Sequence, residues 1–205
     1  MSTQSKGDAR PSVMIVGAGF SGLLLAILLE QINVPYHIYE RAKELCPLGM
    51  LMPYEIPYER LLVQVTHRVL NPFPAMYDLV GSIMTMGSNM LPVFEQLGLL
   101  EEVMKLSKIL KATKLYNPDM SELATQDMSF LKEALGYHCI LFSRPKLYEL
   151  LLSRVPTEKI SLNKKVLGTK EEDGKVTIEC SDNTSYEGDI LIGADGAYSS
   201  VRHSL

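Results

Sequence analysis

Three glycines punctuate an otherwise apolar run from Val13 to Leu29, and no other feature of the 205-residue chain restricts its fold so tightly. Before them, Val13-Met14-Ile15-Val16 has the composition of a short parallel strand buried on both faces. After them, the stretch from Ser21 to Gln31 is built from strong helix formers and is apolar on every side, which predicts a helix enclosed between layers. Val34-Pro35 stops that helix, and Tyr36-His37-Ile38-Tyr39 reads as a second strand. Strand, glycine turn, helix, strand is a βαβ unit with a right-handed crossover, so the fold class is α/β with a Rossmann-like core.

The glycine turn is Gly17-Ala18-Gly19-Phe20-Ser21-Gly22, a G-x-G-x-x-G pattern lying between a strand and a helix. Gly17 permits the tight turn, Gly19 lets the backbone approach a pyrophosphate, and Gly22 lets helix and strand pack closely. The N-terminus of the helix turns N–H groups and about half a positive charge toward that pyrophosphate. Glu40 ends the second strand roughly 20 residues on, where its carboxylate can accept hydrogen bonds from ribose hydroxyls and would repel a 2′-phosphate. FAD or NAD is therefore expected over NADP, with the neighbouring Arg41 pulling the other way. The rival reading is a glycine-rich turn whose acid is plain surface charge.

Downstream, Met1 to Pro11 is expected to be a flexible tail, and the proline-broken stretch from Met50 to Val80 shows neither helical nor strand periodicity. From Met90 to Leu110, Leu91, Phe94, Leu97, Leu100, Val103, Met104 and Leu106 recur at helical spacing, with Gly98 dividing two helices. Lys111 to Phe130 reads as strands and turns. Ser143, as N-cap, and Pro145 open a helix whose face carries Leu147, Leu150, Leu151 and Val155 and which Pro156 closes. Val166–Lys170 and Val176–Cys180 form a hairpin about Asp173-Gly174, and Asp182-Asn183 makes another turn. Asp189-Ile190-Leu191-Ile192 is expected as a buried strand running into Gly193-Ala194-Asp195-Gly196.

At Gly193-Ala194-Asp195-Gly196-Ala197-Tyr198-Ser199-Ser200-Val201-Arg202 the chain resembles the FAD-dependent monooxygenases of the aromatic-hydroxylase type, related to para-hydroxybenzoate and salicylate hydroxylases. Their "GADGxxSxVR" segment is matched through Asp195, Gly196, Ser199, Val201 and Arg202. Ser88 to Leu99 is similar to the family's helix ending in "LeqLGL", and Ser143 to Leu151 to its "xRxxLxxxL" helix. The resemblance implies that Asp195 and Gly196 lie near the FAD pyrophosphate and that Arg144 contacts FAD. It implies that the N-terminal FAD-binding portion is present with a partial antiparallel β segment of the substrate domain at 111–135. It further implies an enzyme in which NAD(P)H reduces FAD, O2 adds to the reduced ring, and a flavin hydroperoxide hydroxylates or epoxidises a small organic substrate.

Two departures from the family stand out. Residues 50–80 read as an atypical insertion, and the family's second "GD" motif, whose aspartate binds the ribityl chain, does not occur before Leu205. The expectation is a C-terminally truncated, incomplete FAD-binding domain over 12–205. The competing reading is an inactive fragment or binding module.

Composition narrows the partners. Net charge is −4 and the basic residues are scattered, which argues against nucleic acid. Cys46, Cys139 and Cys180 are far apart and lack C-x-x-C spacing, in keeping with buried thiols in a reducing, cytoplasmic compartment. The apolar run after Lys6 and Arg10 is interrupted by glycines and marginal in length, a poor signal peptide or anchor. No catalytic residue and no metal cluster stands out: His37, His67, His138 and His203 are isolated. That silence suits a protein whose cofactor carries the chemistry.

Overall fold

A computed structural model describes residues 10–45 and 83–204. The expected insertion at 50–80 and almost all of the expected tail lie outside the described residues, as do Cys46 and His67. In chain order the elements are β1 (Val13–Val16), α1 (Phe20–Gln31), β2 (Tyr36–Tyr39), β3 (Ile83–Met86), α2 (Leu91–Gln96), α3 (Leu100–Lys105), β4 (Ser107–Ile109), β5 (Ala112–Tyr116), β6 (Glu122–Asp127), α4 (Leu131–Leu135), β7 (Ile140–Ser143), α5 (Arg144–Leu152), β8 (Ile160–Ser161), β9 (Val166–Glu172), β10 (Lys175–Cys180), β11 (Ser185–Gly188), β12 (Ile190–Gly193) and α6 (Ser200–Ser204). They cluster into two compact units, one made of Met1–Leu45 with Leu150–Leu205 and the other of Cys46–Glu149.

The first unit holds a four-stranded sheet in the order β12-β1-β2-β8, with every pairing parallel. Val13 to Val16 stand opposite Tyr36 to Tyr39 on one side and Ile190 to Gly193 on the other. β1 is thus hydrogen-bonded along both edges, and all four of its side chains are buried. This is why the strand is an unbroken apolar run rather than an alternating one. Helix α1 buries Gly22, Leu23, Ala26 and Ile27. Its other side is less enclosed than its composition suggests, for Leu28 is left exposed among the described residues.

An antiparallel sheet β11-β10-β9 completes this unit. The hairpin between β9 and β10 turns on Asp173 (φ 52°) and Gly174 (φ 74°), the two left-handed positions that an Asp-Gly type I′ turn requires. Its core face packs Val166, Ile178 and Cys180 with Met14, Val16 and Tyr39 of the parallel sheet and Val201 of α6. Fully burying a side chain such as Ile178 stabilises the fold by roughly 1.5–3 kcal/mol.

The second unit pairs β3 and β4 antiparallel on either side of β7, next to α2 and α3, with Phe94, Leu91, Val103 and Ile140 in its core. The β5–β6 hairpin and α4 complete it, and every residue of the hairpin's two strands is exposed.

Three expectations need correction. The helical reading of Met90 to Leu110 holds only to Lys105, because Ser107–Ile109 leaves the helix to ladder against Phe142–Ile140, a long-range pairing that overrides local periodicity. Helix α5 ends at Leu152 rather than running to Pro156, although Val155 is buried as expected. β12 is not a buried strand: it occupies the edge of the parallel sheet, and Ile190 and Ile192 are 41% and 37% exposed.

Candidate dinucleotide site

The site grows from the ends of two adjacent parallel strands. β1 and β12 run side by side with Val16 opposite Gly193, so Gly17-Ala18-Gly19 and Ala194-Asp195-Gly196 leave the sheet together at its carboxyl edge. Ligands of open α/β sheets bind at that edge. The two turns touch: Ala194 donates its N–H to Val16 O at 2.8 Å, and a Cβ added to Gly17 would lie 2.5 Å from Ala194 O. Gly17 also sits at φ 105°, a conformation open to glycine and strained for other residues.

The three glycines of the loop differ in what surrounds them. A Cβ on Gly22 would lie 2.0 Å from Gly17 O, so its absence lets α1 close on the turn. A Cβ on Gly19 would meet nothing within 4 Å and would project into open space at the start of α1. Gly19 is the N-cap, with no side-chain cap bond, and Phe20, Ser21 and Gly22 follow as the first helical turn. Gly17 and Gly22 are therefore needed by the fold itself, whereas nothing among the described residues requires Gly19 to lack a side chain.

Glu40 braces this loop. One carboxylate oxygen accepts the Ala18 N–H at 2.7 Å and the other the Ala42 N–H at 2.8 Å. Its own backbone is held by Ser161 O and the Lys164 N–H at 2.9 and 2.7 Å. The side chain therefore points at the glycine turn, not away from it. Each oxygen accepts one backbone bond and has a lone pair left for a further donor. Arg41 is exposed beside it.

The second turn is pinned from within. Asp195 Oδ2 accepts the Ser200 N–H at 2.6 Å, and Arg202 donates to Ala197 O at 2.7 Å. Burial pushes the Asp195 carboxyl up, but hydrogen bonds from Ser199 and from the Ser200 backbone outweigh it and hold the group below its ordinary range. Asp195 Oδ1 is buried without a hydrogen-bond partner, and Gly196 adopts φ 82°. An ionised oxygen in that state has capacity for a donor that the described residues do not supply.

The structure thus gathers Gly17, Ala18, Gly19, Phe20, Ser21, Gly22, Glu40, Arg41, Asp195 and Gly196 within one unit. Arg144, the first residue of α5, belongs to the other. Sequence reasoning missed the segment from Ser161 to Lys164, which carries Glu40 and Ala42 through backbone bonds, Asn163 donating to Ala42 O at 2.8 Å. It also missed Ser12, whose N–H and hydroxyl both donate to Asp189 Oδ2 at 2.8 Å and so anchor the start of β1 to β12. Both contacts join positions more than a hundred residues apart and leave no local signal. Among the described residues there is no cluster of metal ligands and no helix long and apolar enough to cross a membrane.

A parallel sheet with a glycine-rich first turn, a braced acid after its second strand and a second glycine turn alongside defines a dinucleotide-binding fold of the FAD-dependent hydroxylase kind. The comparisons agree. No protein-family profile matches the chain. It is 27% identical over 198 residues to the FAD-dependent monooxygenase nvfK of Aspergillus novofumigatus, covering 96% of this chain and 36% of that protein. It is 28% identical over 194 residues to the FAD-dependent monooxygenase cdmI of Talaromyces verruculosus, covering 94% and 34%. Klebsiella pneumoniae HpxO complexed with FAD and uric acid superposes with a TM-score of 0.69 at 21% identity, over 94% of this chain and 41% of that one. The tetrameric form of 2-methyl-3-hydroxypyridine-5-carboxylic acid oxygenase gives 0.66 at 22% identity, over 97% and 42%. The resemblance to FAD-dependent monooxygenases read from the motifs is borne out, and the chain spans about a third of the length of the curated relatives it matches.

Proposed function

We propose that this chain binds FAD through the paired turns at the ends of β1 and β12 and serves an NAD(P)H-dependent flavin monooxygenase acting on a small organic substrate. The observation that carries the reading is the contrast among the glycines. Gly17 and Gly22 are packed against backbone, but the space beyond Gly19 is open, where a pyrophosphate would need to approach the main chain.

In this reading the N–H groups at the start of α1 and the loop backbone hold the pyrophosphate, with the helix dipole adding to their attraction. Glu40, already fixed by Ala18 and Ala42, uses its remaining lone pairs for the ribose hydroxyls. Arg41 is the exposed cation beside that sugar. Gly196 and the unpartnered Oδ1 of Asp195 receive the far side of the phosphates or the water that solvates them. Arg144 is assigned a flavin contact from the family motif. When bound, FAD would supply the redox and oxygen chemistry, and the residues of this chain bind, orient and shield.

Purification of the full chain tests the binding: the protein should be yellow, with flavin absorbance and FAD released on denaturation. A colourless protein that also fails to take up added FAD would refute the reading.

A further inference from the structure

Three lysines of the second unit converge on one recess. Lys105 at the end of α3, Lys108 in β4 and Lys146 in the first turn of α5 line a cavity of about 190 Å³ together with Leu106 and Ser107. Among the described residues no carboxylate lines it. Topology makes the convergence: Lys108 stands opposite Leu141 in the β4–β7 ladder, and α5 begins directly after β7, so β7 brings Lys146 to Lys108. Lys105, the last residue of α3, is joined to β4 by Leu106 alone. The same elements are anchored in the core through Val103, Phe142 and Leu147, all buried.

These cations are poorly compensated. Lys105 lies 3.9 Å from Glu101, and both side chains are largely in water, a pair of little energetic weight. Among the described residues, Lys108 and Lys146 form no ion pair. Three like charges facing one space repel each other, and a bound anion relieves that repulsion. A carboxylate presents two oxygens in one plane, whereas a phosphomonoester dianion presents three terminal oxygens in three directions and carries twice the charge. The recess is local and the chain is net acidic at −4, which does not suit a nucleic-acid backbone.

We propose that Lys105, Lys108 and Lys146 form a binding site for a phosphomonoester dianion. Neither the lysines nor the binding measurement involves the glycine turn, so this site and the flavin site stand or fall separately. The phosphate can be free or can belong to a nucleotide, and the test distinguishes these sources.

The full chain is titrated by calorimetry at low ionic strength with inorganic phosphate, with 5′-AMP and with 2′,5′-ADP. Inorganic phosphate is expected to bind, and Lys108→Gln and Lys146→Gln are each expected to weaken it by about threefold to fivefold, with Arg at either position retaining it. Urea midpoints should not move, because all three lysines are exposed. A preference for 2′,5′-ADP over 5′-AMP that disappears in the Gln variants identifies a nucleotide 2′-phosphate as the source. Equal affinity for the two with retained phosphate binding identifies a free or other small phosphomonoester. Absence of phosphate binding beyond that of sodium chloride at equal ionic strength, or binding unchanged in both Gln variants, overturns the proposal.

Discussion

Gly19 and Gly22 offer a matched pair of substitutions that separate folding from ligand binding. In Gly22→Ala the new methyl would lie 2.0 Å from Gly17 O and 3.2 Å from Gly17 C. Those are backbone atoms of a turn held by Tyr39 O, so no side-chain rotation relieves the clash and α1 must lift off the sheet. Overpacking of this kind costs about 1–3 kcal/mol, and a contact so short against main chain belongs at the upper end. In Gly19→Ala the methyl meets nothing within 4 Å, and φ −76°, ψ −175° suits alanine. The folding cost is then only that of a poorer N-cap, on the order of 0.5–1 kcal/mol. If the open space belongs to a pyrophosphate, the same methyl obstructs the ligand by about 1–3 kcal/mol, equivalent to roughly 5-fold to 150-fold weaker binding. Urea unfolding monitored by circular dichroism, together with FAD titration followed by flavin fluorescence, reads both quantities. Wild-type FAD affinity in Gly19→Ala would sink the reasoning about the cradle. A loss of stability in Gly19→Ala equal to that of Gly22→Ala would sink the reasoning about the fold.

Further outcomes are expected. Glu40→Gln replaces an acceptor by an amide nitrogen, leaves the Ala18 or Ala42 N–H unpaired, and should weaken FAD by roughly 5-fold to 150-fold through a loss of about 1–3 kcal/mol, seen in the same titration. The hydrogen bond from Lys164 holds the Asp182 carboxyl down at about 2, from an ordinary 3.8. Its contribution to stability is therefore complete above pH 3.8 and is lost as pH falls toward 2, and the urea midpoint of Asp182→Asn should vary less across that window. Ile178→Ala empties a fully buried position beneath the sheet of the first unit and should cost about 2–5 kcal/mol by chemical denaturation. Gly174→Ala forces a side chain into φ 74° and should cost about 1 kcal/mol while leaving FAD binding unchanged.

What the sequence made legible was whatever is decided within a few residues. The β1 run, the glycine turn and Tyr36–Tyr39 are local patterns, and the structure places strand, turn, helix and strand at those residues. Asp173-Gly174 likewise announces its hairpin, because the turn chemistry resides in two adjacent residues. The illegible parts are those that distant partners decide. Ser107–Ile109 carries apolar periodicity continuous with α3, and only β7 turns it into a strand. Ile190 and Ile192 look like core residues, and only their place at the sheet edge leaves them exposed. Glu40 could be read as an acid at the right distance from the glycines, but its two backbone bonds to Ala18 and Ala42 are visible only in three dimensions.

The contact between Gly17 and Ala194 has a temporal meaning for the making of the protein. Gly17 and Ala194 stand 177 positions apart in the sequence, so a ribosome that has released the glycine turn has not yet released its companion. If the two turns hold a nucleotide as proposed, its capture waits until β12 has paired with β1. On that reading, flavin uptake during refolding reports a long-range pairing rather than the local glycine turn, and loops closed over such distances form slowly.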